Sequence, residues 1–212
     1  IKDKFKSKVF ITGNIIREEI LNFNNKKNFY SEELNILILG GSQAAKSFGE
    51  LLPKIFTQCI EKNFKLRIFQ QCNESQNNKL REEYENIKIN YELFNFTNKI
   101  LEYFSKVDLV ITRSGSSVTA ELINCKIPFI SIPYPYSADS HQDKNAAYFE
   151  KKGYSFLIKE KEINTKLFPL IKSIYSDKQI LNRLIEKQKN HSDKNVFFKI
   201  NNKVKNLLNE QN

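Results

Sequence analysis

Hydrophobic positions in this chain fall into short unbroken runs, separated by stretches in which they recur at three- and four-residue steps. Leu34-Asn35-Ile36-Leu37-Ile38-Leu39 is one such run, and Phe48, Leu51, Leu52, Ile55, Phe56, Cys59 and Ile60 follow it at helical spacing. Continued along the chain, the pattern predicts strands at 34–39, 65–70, 87–93, 107–112, 127–132 and 154–158. Between them it predicts helices at 44–62, 74–85, 98–105, 117–125 and 142–152. The strands are apolar along their length rather than alternating, which marks a parallel sheet covered on both faces and joined by right-handed crossovers. The expected fold class is therefore α/β, a Rossmann-like parallel six-stranded sheet with helices on both faces. Helices near 163–175 and 178–189 and a last amphipathic helix carrying Val196, Phe197, Ile200, Val204 and Leu207 complete it. Pro53 sits inside the first long helical pattern and should bend that helix or mark its strained start.

The chain before Leu34 has a different rhythm. Lys8-Val9-Phe10-Ile11-Thr12-Gly13-Asn14 reads as a short strand and turn, Ile15-Ile16-Arg17-Glu18-Glu19-Ile20 as a helical fragment, and 22–28 as a polar linker.

Two strand–turn–helix joints carry candidate chemistry. Val107-Asp108-Leu109-Val110-Ile111 runs into Thr112-Arg113-Ser114-Gly115-Ser116-Ser117-Val118-Thr119-Ala120-Glu121, and the strand at 34–39 runs into Gly40-Gly41-Ser42-Gln43-Ala44-Ala45. The first turn of a helix presents unpaired N–H groups and the positive end of a dipole, which suits a diphosphate. Ser114, Ser116 and Ser117 add hydroxyl donors, Gly115 lets a ligand approach the backbone, and a carboxylate at Glu121 can accept both hydroxyls of a ribose. A single serine-rich joint of this kind is common; two at the carboxyl ends of parallel strands make a nucleotide site. The dinucleotide fingerprint is not met: Gly40-Gly41-Ser42-Gln43 lacks its glycine spacing, and the next strand ends in Gln70-Gln71-Cys72 with no acid for a ribose. A mononucleotide diphosphate fits better.

Composition narrows the picture further. The 212 residues, 40% hydrophobic with 17 Phe and 9 Tyr, can bury one good core, or one domain with an appendage. Cys59, Cys72 and Cys125 have no metal spacing and read as reduced core thiols of a cytosolic protein. No run is long enough to span a membrane. There is no methionine, so Ile1 is read as an internal residue of a longer or split protein. The net charge of +10 comes from scattered lysines without an aromatic–basic recognition motif, so no nucleic-acid partner is expected. Attraction to anionic lipid headgroups is the more useful reading of that charge. Asp139 and Asp143 alone make no metal site, and neither metal nor other cofactor is expected.

These motifs, in this order, resemble the MurG family, which transfers N-acetylglucosamine from UDP-N-acetylglucosamine to a lipid-linked muramyl-pentapeptide in peptidoglycan synthesis. The resemblance covers the second, donor-binding half of a two-domain GT-B fold. It implies residues 1–30 as the end of a first domain and interdomain linker, 31–190 as the donor domain, and 191–212 as a helix returning toward the first domain. It implies a phosphate contact for Arg17 in Gly13-Asn14-Ile15-Ile16-Arg17, suited by its planar fork. By the same resemblance Ser42 and Gln43 lie on the first glycine loop and Phe96-Thr97 where main-chain atoms read uracil. Ser114, Gly115, Ser116, Ser117, Val118 and Thr119 match the diphosphate loop, and Glu121 the ribose ligand. His141, Gln142 and Asn145 match the sugar-binding turn, with Gln142 on the N-acetylglucosamine hydroxyls.

In this resemblance no catalytic residue lies in the chain. The general base and the lipid-acceptor surface belong to the first domain, and the protein works peripherally on the cytoplasmic face of the bacterial inner membrane. Two departures stand out: Ile15 replaces the usual proline of the linker, and Ala44 replaces a common glycine, harmless only at negative φ. Two other readings stay open: the catalytic subunit of a split lipid-linked N-acetylglucosaminyltransferase, and a non-catalytic nucleotide-binding module.

Overall fold

The computed structural model describes residues 9–25 and 31–209, and only the backbone of 42–45. The strands are β1 Leu34–Leu39, β2 Leu66–Gln71, β3 Asn90–Phe94, β4 Leu109–Thr112, β5 Phe129–Ser131 and β6 Phe156–Leu157. They form one sheet in the order β3-β2-β1-β4-β5-β6, and every neighbouring pair is parallel. The helices are α1 Glu18–Leu21, α2 Gly41–Glu61, α3 Glu74–Asn86, α4 Ile100–Phe104, α5 Ser116–Asn124, α6 His141–Lys151, α7 Phe168–Ser176, α8 Gln179–Lys189 and α9 Val196–Asn209.

Strand side chains alternate between two cores, as a pleat requires. Leu34, Ile36 and Ile38 of β1 pack with Ile111 of β4 under Phe48, Leu52, Ile55 and Phe56 of α2 and Ile171 and Ile174 of α7. Leu37 and Leu39 face the other way, with Val110 and Phe129, onto Phe104 of α4 and Leu122 and Ile123 of α5. A sheet apolar on both faces is what the unbroken hydrophobic runs predict. Cys59 and Cys125 lie within these cores, and burial pushes both thiols up to about 12, far from the range of a nucleophilic thiolate.

Several boundaries differ from the pattern-based ones, for a shared reason. Asn63, Lys88, Lys126 and Gly153 adopt positive φ after α2, α3, α5 and α6. The following N–H then bonds back five residues: Phe64 to Cys59, Ile89 to Tyr84, Ile127 to Leu122 and Tyr154 to Phe149. These helix-ending motifs satisfy the last carbonyls and consume residues that would otherwise extend the next strand. Hence β3 begins at Asn90 rather than 87, and β5 and β6 at Phe129 and Phe156.

Pro53 lies in the interior of α2 rather than at its start. Residues 163–167 form a single π turn that runs into α7. Residues 9–14 hold no strand and pair with none of the six described strands, and Lys8 is outside the described residues. The helical fragment expected over 15–20 shortens to α1, whose N-cap Arg17 has extended backbone at φ −61°, ψ 142°.

Candidate functional site

The strand order reverses direction between β1 and β4, which pair in register from Ile36 with Leu109 to Leu39 with Thr112. Successive crossovers leave this point on opposite sides, so a crevice opens at the carboxyl ends of the two strands. A cavity of about 420 Å³ occupies it, walled by Leu39, Gly40 and Gly41 after β1, Thr112, Arg113 and Gly115 after β4, and Val118, Tyr134 and Gln142. Gly41 holds φ +66° with nothing within 4 Å of the place of a Cβ, so the turn is strained for any other residue and its face is open. Gly115 caps α5 with extended backbone, and no side chain among the described residues caps the first N–H groups of that helix. That end of α5 is therefore polarised and open to an anion. Ala44 falls inside α2, where helical backbone has negative φ.

A second hollow of about 460 Å³ lies where the extended segment from Thr12 to Arg17 crosses α5, with Ser116, Ser117 and Glu121 on its far wall. Here Arg17 Nη2 reaches Glu121 Oε1 at 3.2 Å, while Arg17 Nη1 pairs with Glu19 at 2.8 Å. Arg17 and Glu121 thus meet each other directly.

Gln142 and Asn145, in the first half of α6, both act on the loop after β4, and Gln142 also lines the cavity. The Gln142 side-chain oxygen accepts from the Ser114 N–H at 3.2 Å and the Tyr134 N–H at 2.9 Å. Asn145 Nδ2 donates to the Ser114 carbonyl at 3.1 Å. Both main-chain polar groups of Ser114 are thereby held by α6, and its buried hydroxyl has no partner among the described residues. The turn that delivers α6 stores strain: Asp139 and Ser140 both take positive φ, 50° and 51°. His141 is exposed, with Nδ1 2.8 Å from the Ala138 carbonyl.

The other predicted residues divide. Thr119 is fully buried and its hydroxyl donates to the Gly115 carbonyl at 2.7 Å, so its side chain supports the turn. Thr97 lies on the loop between β3 and α4, where its hydroxyl accepts from the Lys99 N–H, and it walls neither hollow. The side chains of Ser42 and Gln43 lie outside the described residues.

Arg113 was not foreseen as part of the site. It is 5% exposed and lies against the cavity. It donates to the carbonyls of Ile132 and Pro133, to Ser47 at 2.6 Å and to Glu160, and its guanidinium stacks 4.4 Å from the Phe48 ring. One cation therefore ties the end of β4 to α2, to the loop after β5 and to the segment after β6. Its only sequence signal is a charge closing an apolar strand. Among the described residues no group of His, Cys, Asp and Glu is arranged to hold a metal.

Residues 35–203 match the model of the glycosyltransferase family 28 C-terminal domain. The chain belongs to this family. Among curated relatives, a Pelagibacter ubique protein is 36% identical over 98% of the chain and 58% of its own length. A Rickettsia bellii protein is 35% identical over 83% of the chain and 51% of its own length. Both are named UDP-N-acetylglucosamine–N-acetylmuramyl-(pentapeptide) pyrophosphoryl-undecaprenol N-acetylglucosamine transferase. The crystal structure of Acinetobacter baumannii MurG superposes with a TM-score of 0.72 at 25% identity, over 85% of this chain and 53% of that one. Staphylococcus aureus MnaA, solved with UDP, shares the fold at 16% identity and a TM-score of 0.68, over 98% of this chain and 57% of that one. This family 28 domain spans a little over half the length of the relatives it matches. The predicted fold class and the predicted family resemblance are borne out.

Proposed function

We propose that this chain is the donor-binding part of a MurG-type transferase that moves N-acetylglucosamine from UDP-N-acetylglucosamine to a lipid-linked muramyl-pentapeptide. The observation that supports this most is the convergence of two glycine-bearing helix starts on one cavity at the reversal of strand order, with Arg17 and Glu121 beside it. In this reading the diphosphate rests on the Gly115 turn and the first N–H groups of α5, assisted by Ser116, Ser117 and Arg17, with Ser42 on the opposite loop. Glu121 takes the ribose hydroxyls once Arg17 turns to phosphate. Main-chain atoms near Thr97 read the uracil edge, and the Gln142 amide nitrogen, with Asn145 and His141, meets the sugar.

The reaction forms a bond from an acceptor oxygen to the anomeric carbon as the bond from that carbon to UDP breaks, with inversion. The acceptor proton goes to a base outside this chain. The chain's share is electrostatic: preorganised N–H dipoles and Arg17 stabilise charge growing on the departing diphosphate.

We assign residues 31–190 to donor binding, 1–30 to the end of a first domain and linker, and 191–212 to a helix that returns to that domain. The exposed Phe197, Phe198, Val204, Leu207 and Leu208 of α9 support the last assignment, because they are large apolar groups that no other described residue covers. No helix among the described residues is long and apolar enough to cross a membrane. The net charge of +10 favours peripheral attachment to an anionic surface on the cytoplasmic face, where the lipid-linked acceptor would be met.

Calorimetry of the chain with UDP-N-acetylglucosamine, UDP and ADP tests the proposal. UDP should bind and outcompete ADP; equal binding of both would indicate a generic nucleotide module. Addition of the lipid-linked acceptor to the chain alone should yield no transfer.

A further inference from the structure

The segment carrying Arg17 belongs to no helix or strand from residue 9 to residue 17, yet it must place a guanidinium beside Glu121. What holds its course is a buried carboxylate at the other end of the sequence. Asp193 is 4% exposed. Its Oδ1 accepts from the Asn14 N–H at 3.3 Å, and its Oδ2 accepts from Asn124 Nδ2 at 2.8 Å and lies 3.0 Å from His191 Nε2. The Asp193 N–H in turn donates to Asn124 Oδ1 at 3.0 Å, closing a two-way pair with the end of α5. Asn124 is itself fixed to its helix through the Ala120 carbonyl at 2.9 Å.

Packing adds to the hydrogen bonds. Gly13 has φ +102°, and a Cβ there would stand 2.7 Å from Asp193 Oδ1 and 2.8 Å from Val196 Cγ2. The backbone of the segment therefore lies directly on the Asp193 carboxylate and the first residue of α9, closer than any side chain would allow. The segment crosses α5 between two pins: Asn14 is held to the carboxyl end of the helix through Asp193, and Arg17 to its middle through Glu121.

We infer that Asp193 is a positioning residue, whose grip on Gly13 and Asn14 sets the course of residues 13–17 and thereby the place of the Arg17 guanidinium. Its effect on donor binding rests on the function proposed above; its grip on the segment does not. A residue that merely began α9 through its carbonyl bond to the Val196 N–H would leave residues 13–17 unaffected.

The test compares the wild-type chain with Asp193→Ala, and with Asp193→Asn in case the truncation fails to fold. Asp193→Asn keeps the shape and sets an amide nitrogen against donors. Amide hydrogen exchange at Asn14, whose N–H loses its acceptor, should quicken by about tenfold, the order expected for losing a bond to a charged acceptor, while β1 and β4 stay protected. Gly13→Ala approaches the same contact from the other side and should give the same signature. UDP affinity should fall several-fold in the Asp193 variants, and that fall should vanish in an Arg17→Ala background, where nothing remains to be positioned. Unchanged exchange in a folded Asp193→Asn protein would overturn the inference, as would a loss of UDP affinity that persists without Arg17. A wild-type chain that does not bind UDP would overturn the proposed function instead, and the exchange measurement would still decide whether Asp193 holds the segment.

Discussion

Arg17 and Glu121, 104 positions apart in the chain, face each other at 3.2 Å across the hollow between the extended segment and α5. The guanidinium is about half exposed, so as an ion pair this contact adds little to stability. Its interest lies in pairing two groups proposed to serve adjacent parts of one ligand. A donor that brought a phosphate to Arg17 and ribose hydroxyls to Glu121 would exchange one salt bridge for two sets of charge-assisted bonds.

Glu121→Ala should accordingly separate binding from folding. The midpoint of thermal unfolding is expected to stay within a degree or two, while UDP affinity falls about ten- to a hundredfold, the range for losing hydrogen bonds to a carboxylate. Titration calorimetry beside a thermal melt reads both quantities. Full retention of UDP affinity would reduce the pair to a surface contact.

Gln142→Ala should behave differently from a simple sugar contact. Residue type and family resemblance suggest that its loss weakens UDP-N-acetylglucosamine binding and hardly touches UDP. The structure revises this, because the Gln142 oxygen holds the N–H groups of both Ser114 and Tyr134. Leaving a buried N–H without its acceptor costs about 1–3 kcal/mol, so the variant should melt several degrees lower. UDP should weaken as well, though less than the sugar nucleotide, and an unchanged melt would exclude the tether.

What could be read in the sequence follows from what periodicity records. It records burial, so Leu34, Ile36 and Ile38 on one face and Leu37 and Leu39 on the other were legible as a two-sided sheet. The glycines at 40, 41 and 115 announced open backbone at two strand ends. Boundaries were less legible, because Lys88 and Lys126 adopt a left-handed conformation that lysine does not advertise, whereas Gly153 does. Long-range polar bonds left no trace: nothing in Asp193 or Gln142 as letters names Asn14 or Ser114 as a partner. Arg113 reads as one more charge in a basic chain until its environment shows it enclosed.

Arg113→Ala should be the most damaging single change near the cavity. It would take the guanidinium from the Ile132 and Pro133 carbonyls and leave the largely buried Glu160 carboxylate without its countercharge, with only the Ser47 hydroxyl among the described residues still donating to it. Removing one partner of a buried pair costs about 3–5 kcal/mol, and the partial exposure of Glu160 places the loss near the lower end, about 3 kcal/mol. Glu160→Gln should cost clearly less, because Ser47 and two carbonyls still receive the guanidinium. Urea unfolding of the two variants orders them, and equal losses would mean that the Glu160 partner, not the whole cage, carries the arginine.

Acid should loosen the Asp193 contacts before it unfolds the core. Burial pushes the Asp193 carboxyl up, but bonds from Asn124, His191 and the Asn14 N–H outweigh it and hold the group below its usual range. A carboxyl whose folded pKa lies below its unfolded value, near 4, contributes full stability above that value and loses it as pH falls through the folded one. The unfolded chain binds the proton first, so the slope of stability against pH is positive in that window. Other carboxylates titrate there too, and the difference between wild type and Asp193→Asn isolates this one. At pH 7 the wild type should be the more stable, and the gap should narrow as pH falls below the unfolded value, about 4, and through the lowered folded one, because a protonated Asp193 resembles its amide. Urea midpoints at several pH values measure the gap. A gap that does not narrow as the pH falls below about 4 would mean that the Asp193 charge contributes nothing to the folded state.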